Sequence, residues 1–79
     1  MVQVRIFISG YVHGVGFRAF VQREALKRNL TGWVRNLSDR RVEAVIQGEK
    51  EKIEEVIALC HTGPVMAEVK SVNVTWKER

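Results

Sequence analysis

The segment YVHGVGFR, residues 11–18, places two glycines and an arginine close together. This spacing is compatible with three kinds of chemistry. Gly14, Gly16 and Ala19 match the G-x-G-x-x-A fingerprint of a dinucleotide-binding turn, and Asp39 follows at about the expected distance. The string GFRAFV shares letters with the aromatic motif of an RNA-binding sheet. The third possibility is a loop of small residues that wraps an anion and leads into an arginine.

The anion-binding interpretation has a physical mechanism. The first N–H groups of a helix have no intrahelical partner and attract anions, and a helix is predicted to begin at Phe17. Glycine allows the preceding backbone to curl with its N–H groups facing an anion. Arg18 adds a planar guanidinium group that suits phosphate oxygens. The loop by itself is equally compatible with a tight turn followed by a solvated surface arginine.

Hydrophobic periodicity predicts the elements that must position this loop. Residues 2–9 alternate between apolar and other side chains, which predicts a strand ending at Gly10, and residues 17–29 have the spacing of an amphipathic helix. Further strands are predicted over 31–37, 41–48 and 65–76, and a second helix over 49–61. The parity of the last strand changes between Val69 and Val72, which predicts either a bulge or a change of role there.

This order of elements predicts an α+β fold, a ferredoxin-like βαββαβ sandwich with an antiparallel sheet and two helices on one face. Many unrelated functions use this fold, but it weighs against two interpretations of the loop. A dinucleotide site needs a parallel sheet, whereas the short turn after Asn36 makes the neighbouring strands antiparallel. Aromatic residues that stack on RNA bases lie on strands, whereas Phe17 and Phe20 have helical spacing and are predicted to be core.

Few other side chains could form a reactive cluster. Cys60 lies on the apolar stripe of the second helix and is predicted to be a core residue rather than a nucleophile. His61 is expected to cap that helix or lie on the surface, and Asp39 and Glu43 are expected at the surface. No His, Cys or carboxylate residues have metal-ligand spacing, so neither a metal nor a cofactor is predicted.

The composition predicts one domain over residues 1–79. The net charge of +4 favours anionic partners, but the Lys and Arg residues are dispersed, so nucleic acid and membrane are not predicted as partners. The chain has one cysteine, no signal peptide and no apolar run long enough to span a bilayer, which predicts a cytoplasmic location.

Two separated segments resemble the signatures of the acylphosphatase family. GYVHGVGFR at 10–18 resembles G-x-V-Q-G-V-x-F-R, and GWVRNLSD at 32–39 resembles G-W-V-x-N followed by D-G-x-V-E. The resemblance extends to the βαββαβ order, to an E-A-x-x-x-x-L-T-G-W-V stretch and to the Gly-Pro pair at 63–64. It therefore covers nearly the whole chain.

The resemblance implies hydrolysis of the carboxyl–phosphate bond of acyl phosphates to a carboxylate and inorganic phosphate, without a metal or cofactor. It implies that Arg18 holds the phosphoryl oxygens and that Asn36 positions the attacking water. It also implies a small-molecule acyl phosphate as partner, with inorganic phosphate as product and inhibitor. Phosphate binding, mainly through backbone N–H groups, is assigned to His13, Gly14, Val15, Gly16, Phe17 and Arg18.

An alternative function is a binding module for phosphate or acyl phosphate with little turnover. Such modules resemble the N-terminal part of a hydrogenase maturation factor that handles carbamoyl phosphate. The discriminating observation is turnover of an acyl phosphate, which the module would lack.

Three features depart from the family pattern. His13 replaces a glutamine, and Arg40 replaces a turn glycine, so a rearranged turn that avoids strain is expected. The sequence ends at WKER, where family members continue into another short strand, so an open sheet edge is expected. A monomer is expected, with pairing of chains through that edge as the other possibility.

Overall fold

The computed structural model describes residues 1–78. The elements follow the predicted order: β1 (Val2–Tyr11), α1 (Phe17–Lys27), β2 (Thr31–Asn36), β3 (Val42–Gly48), α2 (Lys50–Thr62) and β4 (Glu68–Glu78). The predicted α+β, βαββαβ class is therefore confirmed. Each predicted element is present, with its bounds displaced by a few residues at most.

The strands form one sheet in the order β2-β3-β1-β4, and every neighbouring pair is antiparallel. The first strand therefore lies inside the sheet, hydrogen-bonded to β3 on one side and to β4 on the other. The short connection between β2 and β3 accounts for their antiparallel pairing, as the sequence predicts.

Alternation along β1 builds the core. Val4, Ile6 and Ile8 are completely buried, whereas Arg5 between them is exposed. The helices cover the buried face, and each buried side chain of this size stabilises the fold by about 1.5–3 kcal/mol. The helical members of this core are Phe17, Val21, Ala25, Ile53, Val56 and Cys60.

A bulge lies where β1 pairs with β4. Ser9 is opposite Ser71 and Gly10 is opposite Val69, so Lys70 is the extra residue. Of the two alternatives predicted from the change of parity in the last strand, the bulge is confirmed. The predicted end of β1 at Gly10 is wrong, because the strand continues to Tyr11 in pairing with β4.

The turn between β2 and β3 keeps a left-handed residue. Arg40 has a φ of 73°, and its N–H donates to the Leu37 carbonyl at 3.1 Å. The Asp39 carboxylate accepts hydrogen bonds from the backbone N–H and the side chain of Arg41. The expectation that the turn is rearranged to avoid a positive φ at Arg40 is therefore wrong, because these bonds hold the turn in place.

Glu43 is buried rather than exposed, contrary to the expectation from the sequence. It lies on β3 on the sheet face without helices and is 2% exposed. Arg35 donates to Glu43 Oε1 at 2.8 Å, and Arg5 donates to Oε2. Burial raises the pKa of Glu43, but the hydrogen bonds and charges of Arg35 and Arg5 together lower it below the ordinary value.

Candidate active site

The loop between β1 and α1 has two left-handed glycines. Gly14 has a φ of 71° and Gly16 a φ of 78°. A Cβ atom at either position would meet no atom within 4 Å. Glycine is therefore favoured here by backbone conformation and not by lack of space. The alternation of ordinary and left-handed residues lets successive N–H groups face one side, which is the geometry of an anion-binding loop.

The loop leads directly into the N-terminus of α1. Gly16 is the N-cap and provides no side-chain cap. The first backbone bond of the helix runs from the Phe20 N–H to the Gly16 carbonyl at 2.9 Å. The N–H groups of Phe17, Arg18 and Ala19 precede that bond and have no helical acceptor. They can therefore donate to an anion, which the helix dipole also attracts.

Phe17 anchors the helix start in the core. Its side chain is 1% exposed, and its ring meets that of Phe20 edge to face, with 5.8 Å between centroids. The prediction that Phe17 is a core residue is confirmed, and Phe20 packs against the core as a partly buried side chain. Only the backbone N–H of Phe17 is therefore available to a ligand.

A cavity of about 270 Å³ lies against this helix start. Of the residues singled out in the sequence, it brings together Gly14, Gly16, Phe17, Arg18 and Asn36. The remaining lining residues are Val12, Ala19 and Gln22, and the cavity does not include His13 or Val15.

Asn36 reaches this cavity from the end of β2. It is the last residue of the strand and lies opposite Val42 of β3. Because side chains alternate along a strand, Asn36 shares a face with Val34, which packs against the core beneath the helices. The sheet and α1 thus bring two segments that are distant in sequence to one small site.

The guanidinium of Arg18 is exposed and unneutralised. Within residues 1–78 it has no carboxylate at ion-pair distance, in contrast to Arg28, which contacts Glu24 and Glu55. A full positive charge therefore lies beside the free N–H groups of the helix start. Such an arrangement is suited to the oxygens of a phosphate or a carboxylate.

The ring of His13 is held outside the cavity. Its Nε2 lies 2.9 Å from the Arg41 carbonyl oxygen. Because a carbonyl can only accept, Nε2 must carry the hydrogen of this bond. His13 therefore ties the glycine loop to the turn between β2 and β3, and so to the segment that carries Asn36.

The other candidates play no part in this cavity. Cys60 is fully buried, and burial raises the pKa of its thiol to about 12, so its assignment to the core is confirmed. His61 is exposed at the end of α2. Among the described residues, no three His, Cys, Asp or Glu side chains are grouped so that they could hold a metal.

No helix within residues 1–78 is both long and apolar enough to cross a bilayer.

Sequence reasoning missed Gln22 as a lining residue. It lies four positions after Arg18 on α1, so the two side chains share one face of the helix. Helical periodicity could have placed it beside the site once Arg18 was assigned. Val12 in the loop and Ala19 in the first turn of α1 carry no chemical signal, and their positions follow only from the packing of the fold.

Fold and cavity together define a ferredoxin-like domain with a candidate anion site between its first strand and first helix. A sequence model of the acylphosphatase family matches residues 4–79. An acylphosphatase of Chloroflexus aurantiacus is 46% identical over 99% of this chain and 85% of that protein. One from Thermococcus kodakarensis is 49% identical over 98% of this chain and 85% of that protein. The chain belongs to the acylphosphatase family.

Solved structures agree with this assignment. The crystal structure of acylphosphatase from Bacillus subtilis has a TM-score of 0.97 and 40% identity, covering 100% of this chain and 88% of that one. Full-length HypF in the phosphate- and nucleotide-bound form has a TM-score of 0.87 and 34% identity, covering 100% of this chain but 11% of HypF. The same fold thus occurs both in acylphosphatases and as a small part of a much larger protein.

Proposed function

We propose that the chain hydrolyses acyl phosphates in the cavity between Arg18 and Asn36. Arg18 and the backbone N–H groups of residues 13–18 bind the phosphoryl oxygens, and the Asn36 amide positions the attacking water. The products are a carboxylate and inorganic phosphate, which also inhibits. The observation that supports this best is the meeting of an unpaired arginine, a left-handed glycine loop and Asn36 in one cavity of about 270 Å³.

The proposed roles account for each bond that forms or breaks and for the proton that is transferred. Water attacks phosphorus, the bond from phosphorus to the carboxyl oxygen breaks, and the electron pair leaves with the carboxylate. A carboxylate is a good leaving group, so no strong protein acid is needed. The charge on the phosphoryl oxygens is met by Arg18 and the loop N–H groups, which is the main task of a phosphoryl-transfer site. A phosphoryl oxygen of the substrate accepts the proton from water.

The test of Arg18 is hydrolysis of benzoyl phosphate, followed by ultraviolet absorbance. We expect Arg18→Gln to lower kcat/KM by a factor on the order of 100 or more, because a donor aimed at developing charge is lost. Arg23→Gln is the matched control, since Arg23 is on the same helix and lies over the Phe20 ring at 5.9 Å. Equal activity of the two variants would show that Arg18 has no role in the site.

The test of Asn36 uses the same assay. Asn36→Ala is expected to lower kcat more than it raises KM, because water positioning acts on the chemical step. Asn73→Ala provides the control, since Asn73 is an exposed asparagine on the sheet face away from the cavity, opposite Phe7. An Asn36→Ala variant with native kcat would exclude the proposed role.

A binding module with little turnover is the second candidate. The observation in its favour is the similarity to HypF, in which this fold is a small part of a chain described in a phosphate- and nucleotide-bound form. The native chain decides between the two. Turnover of benzoyl phosphate supports the enzyme, whereas phosphate-competed binding of benzoyl phosphate without turnover supports the module.

We further propose that residues 1–79 act as one domain, as a cytoplasmic monomer that needs neither metal nor cofactor and binds neither nucleic acid nor membrane. Unchanged activity after dialysis against EDTA supports independence of metal. Sedimentation tests the monomer against pairing through the open edge of the sheet. A concentration-dependent dimer would favour pairing.

A further inference from the structure

A second, larger cavity lies beside the proposed phosphate site. This cavity, called here the α1–β2 groove, has a volume of about 380 Å³, within the range of small-molecule sites. Its walls are mainly apolar and come from α1, from β2 and from the residues between them. The apolar side chains that line it include Val21, Leu26, Leu30 and Val34.

The groove exposes an apolar side chain that the fold leaves uncovered. Leu26, on its rim, is 74% exposed. Leu30 and Val21 form the floor and are almost fully buried. An apolar ligand laid on this floor would therefore exchange water for contacts on several sides, and such burial is favourable.

Gln22 connects the groove to the phosphate site, since it lines both cavities. Arg18, Gln22 and Leu26 follow one another at intervals of four residues along α1. Each interval is about 6 Å along the helix axis, so the three side chains form a row from the phosphate site into the groove. Within the described chain no hydrogen-bond partner is found for the Gln22 side chain.

We propose that the α1–β2 groove binds the acyl group of the substrate, so that the preferred substrates are acyl phosphates with an extended apolar acyl chain. This inference rests on the proposed function and names its substrate class. The phosphoryl group lies at the start of α1, the carboxyl passes Gln22, and the chain lies along Val21, Leu26 and Leu30. Gln22 can donate an amide N–H to the carboxyl oxygen at the junction.

The expected signature is a dependence of rate on chain length. Each fully buried methylene is worth a factor of about four, and an open groove should give roughly half that factor. The measurement is kcat/KM for acetyl, butanoyl, hexanoyl and octanoyl phosphate. We expect kcat/KM to rise about twofold for each added methylene until the groove is filled.

The groove is tested directly by Leu26→Gln. We expect this variant to lower the ratio of kcat/KM for octanoyl phosphate to that for acetyl phosphate by about fourfold or more. Met66→Gln is the matched control, because Met66 is 71% exposed but lies outside the groove. Both variants replace exposed side chains, so circular dichroism should show native folding for each.

The outcomes separate the inference from the function on which it rests. Acetyl phosphate hydrolysis with no rise toward octanoyl phosphate would overturn the inference and leave the proposed function standing. The same effect of Leu26→Gln and Met66→Gln would also overturn it. No hydrolysis of any of the four compounds would remove the proposed function itself. A stable dimer that buries Leu26 would show that a second chain occupies the groove, and the inference would fail.

Discussion

Arg18 differs from the ion-paired arginines of residues 1–78 in having an available charge. Arg5 and Arg35 are committed to Glu43, and Arg28 to Glu24 and Glu55. Pairing of that kind lowers the positive potential that an anion meets. Since Arg18 has no carboxylate partner within residues 1–78, an incoming phosphate would meet its full charge.

The first prediction concerns the backbone of the glycine loop. Gly16→Ala is expected to lower the free energy of unfolding by about 1 kcal/mol, because Gly16 has a φ of 78°. It should also lower kcat/KM, since relief of that strain would turn the N–H groups of the helix start. Urea unfolding and benzoyl phosphate hydrolysis measure the two effects.

Gly16→Asn is the control for this change, because asparagine tolerates the left-handed conformation better than alanine. No atom lies within 4 Å of a Cβ at this position, so a clash cannot account for a loss. Identical losses in Gly16→Ala and Gly16→Asn would show that backbone conformation is not the cause.

The second prediction concerns Arg40, whose φ is 73°. Arg40→Gly is expected to be more stable than Arg40→Ala by about 1 kcal/mol, because both variants lose the same charge and only glycine relieves the conformation. Their urea midpoints measure the difference. If Arg40→Ala is as stable as Arg40→Gly, the turn relaxes without a cost in free energy.

At the scale of elements, α1 performs two tasks with two faces. Phe17, Val21 and Ala25 face the core and fix the helix against the sheet. Arg18 and Gln22 face the cavities. The site is therefore rigidly positioned by a buried face, and its chemistry can change on the other face without loss of packing.

The third prediction concerns the ion pairs on the sheet face without helices. The pKa of Glu43 is lowered from its ordinary value of 4.5 in the folded chain. A lowered carboxyl pKa stabilises the fold fully above the unfolded value, and this stabilisation is lost as the pH falls through the folded value. Glu43→Gln should therefore destabilise the protein by about 2 kcal/mol at pH 7.

The same variant should show a weaker dependence of unfolding free energy on pH below 4.5 than the native chain. Glu55→Gln is the control, since Glu55 is half exposed in its pair with Arg28 and should have little effect. A Glu43→Gln variant with the native acid profile would contradict this role.

For the whole molecule, the topology was predictable because its signals are local. Alternation in β1, helical spacing after Phe17 and the short turn at Asp39 each need only neighbouring residues. The glycine loop was predictable for the same reason. The bond of His13 to the Arg41 carbonyl was not predictable. Every residue has a backbone carbonyl, so the sequence does not show which one a side chain will contact.

Burial of Glu43 and the place of Gln22 between two cavities were also beyond sequence reasoning. Glu43 lies on the face without helices, which alternation assigns to solvent. Arg5 and Arg35 cover it from neighbouring strands, and only the register shows this. Gln22 lines two cavities because β2 ends beside α1, and that placement is a property of the assembled fold.

The fourth prediction couples the site to folding. The proposed site joins the loop after β1 to Asn36, so inorganic phosphate should bind only the folded chain. Phosphate at 100 times its Kd is expected to raise the free energy of unfolding by about 2.7 kcal/mol. Urea unfolding with and without phosphate measures the increase.

Arg18→Gln should lose most of this increase, whereas Arg23→Gln should keep it. Chloride at matched ionic strength controls for general screening by salt. A shift that is equal for phosphate and chloride would show that phosphate has no specific site in the folded chain.

The position of β1 inside the sheet has a consequence for how the protein is made. Val2 lies opposite Gly48 on one side and opposite Glu78 on the other. Of the four strands, β1 is synthesised first, and it cannot pair until β3 and β4 have left the ribosome. Contacts so distant in the chain slow folding, and until they form the nascent chain exposes a strand with two free edges.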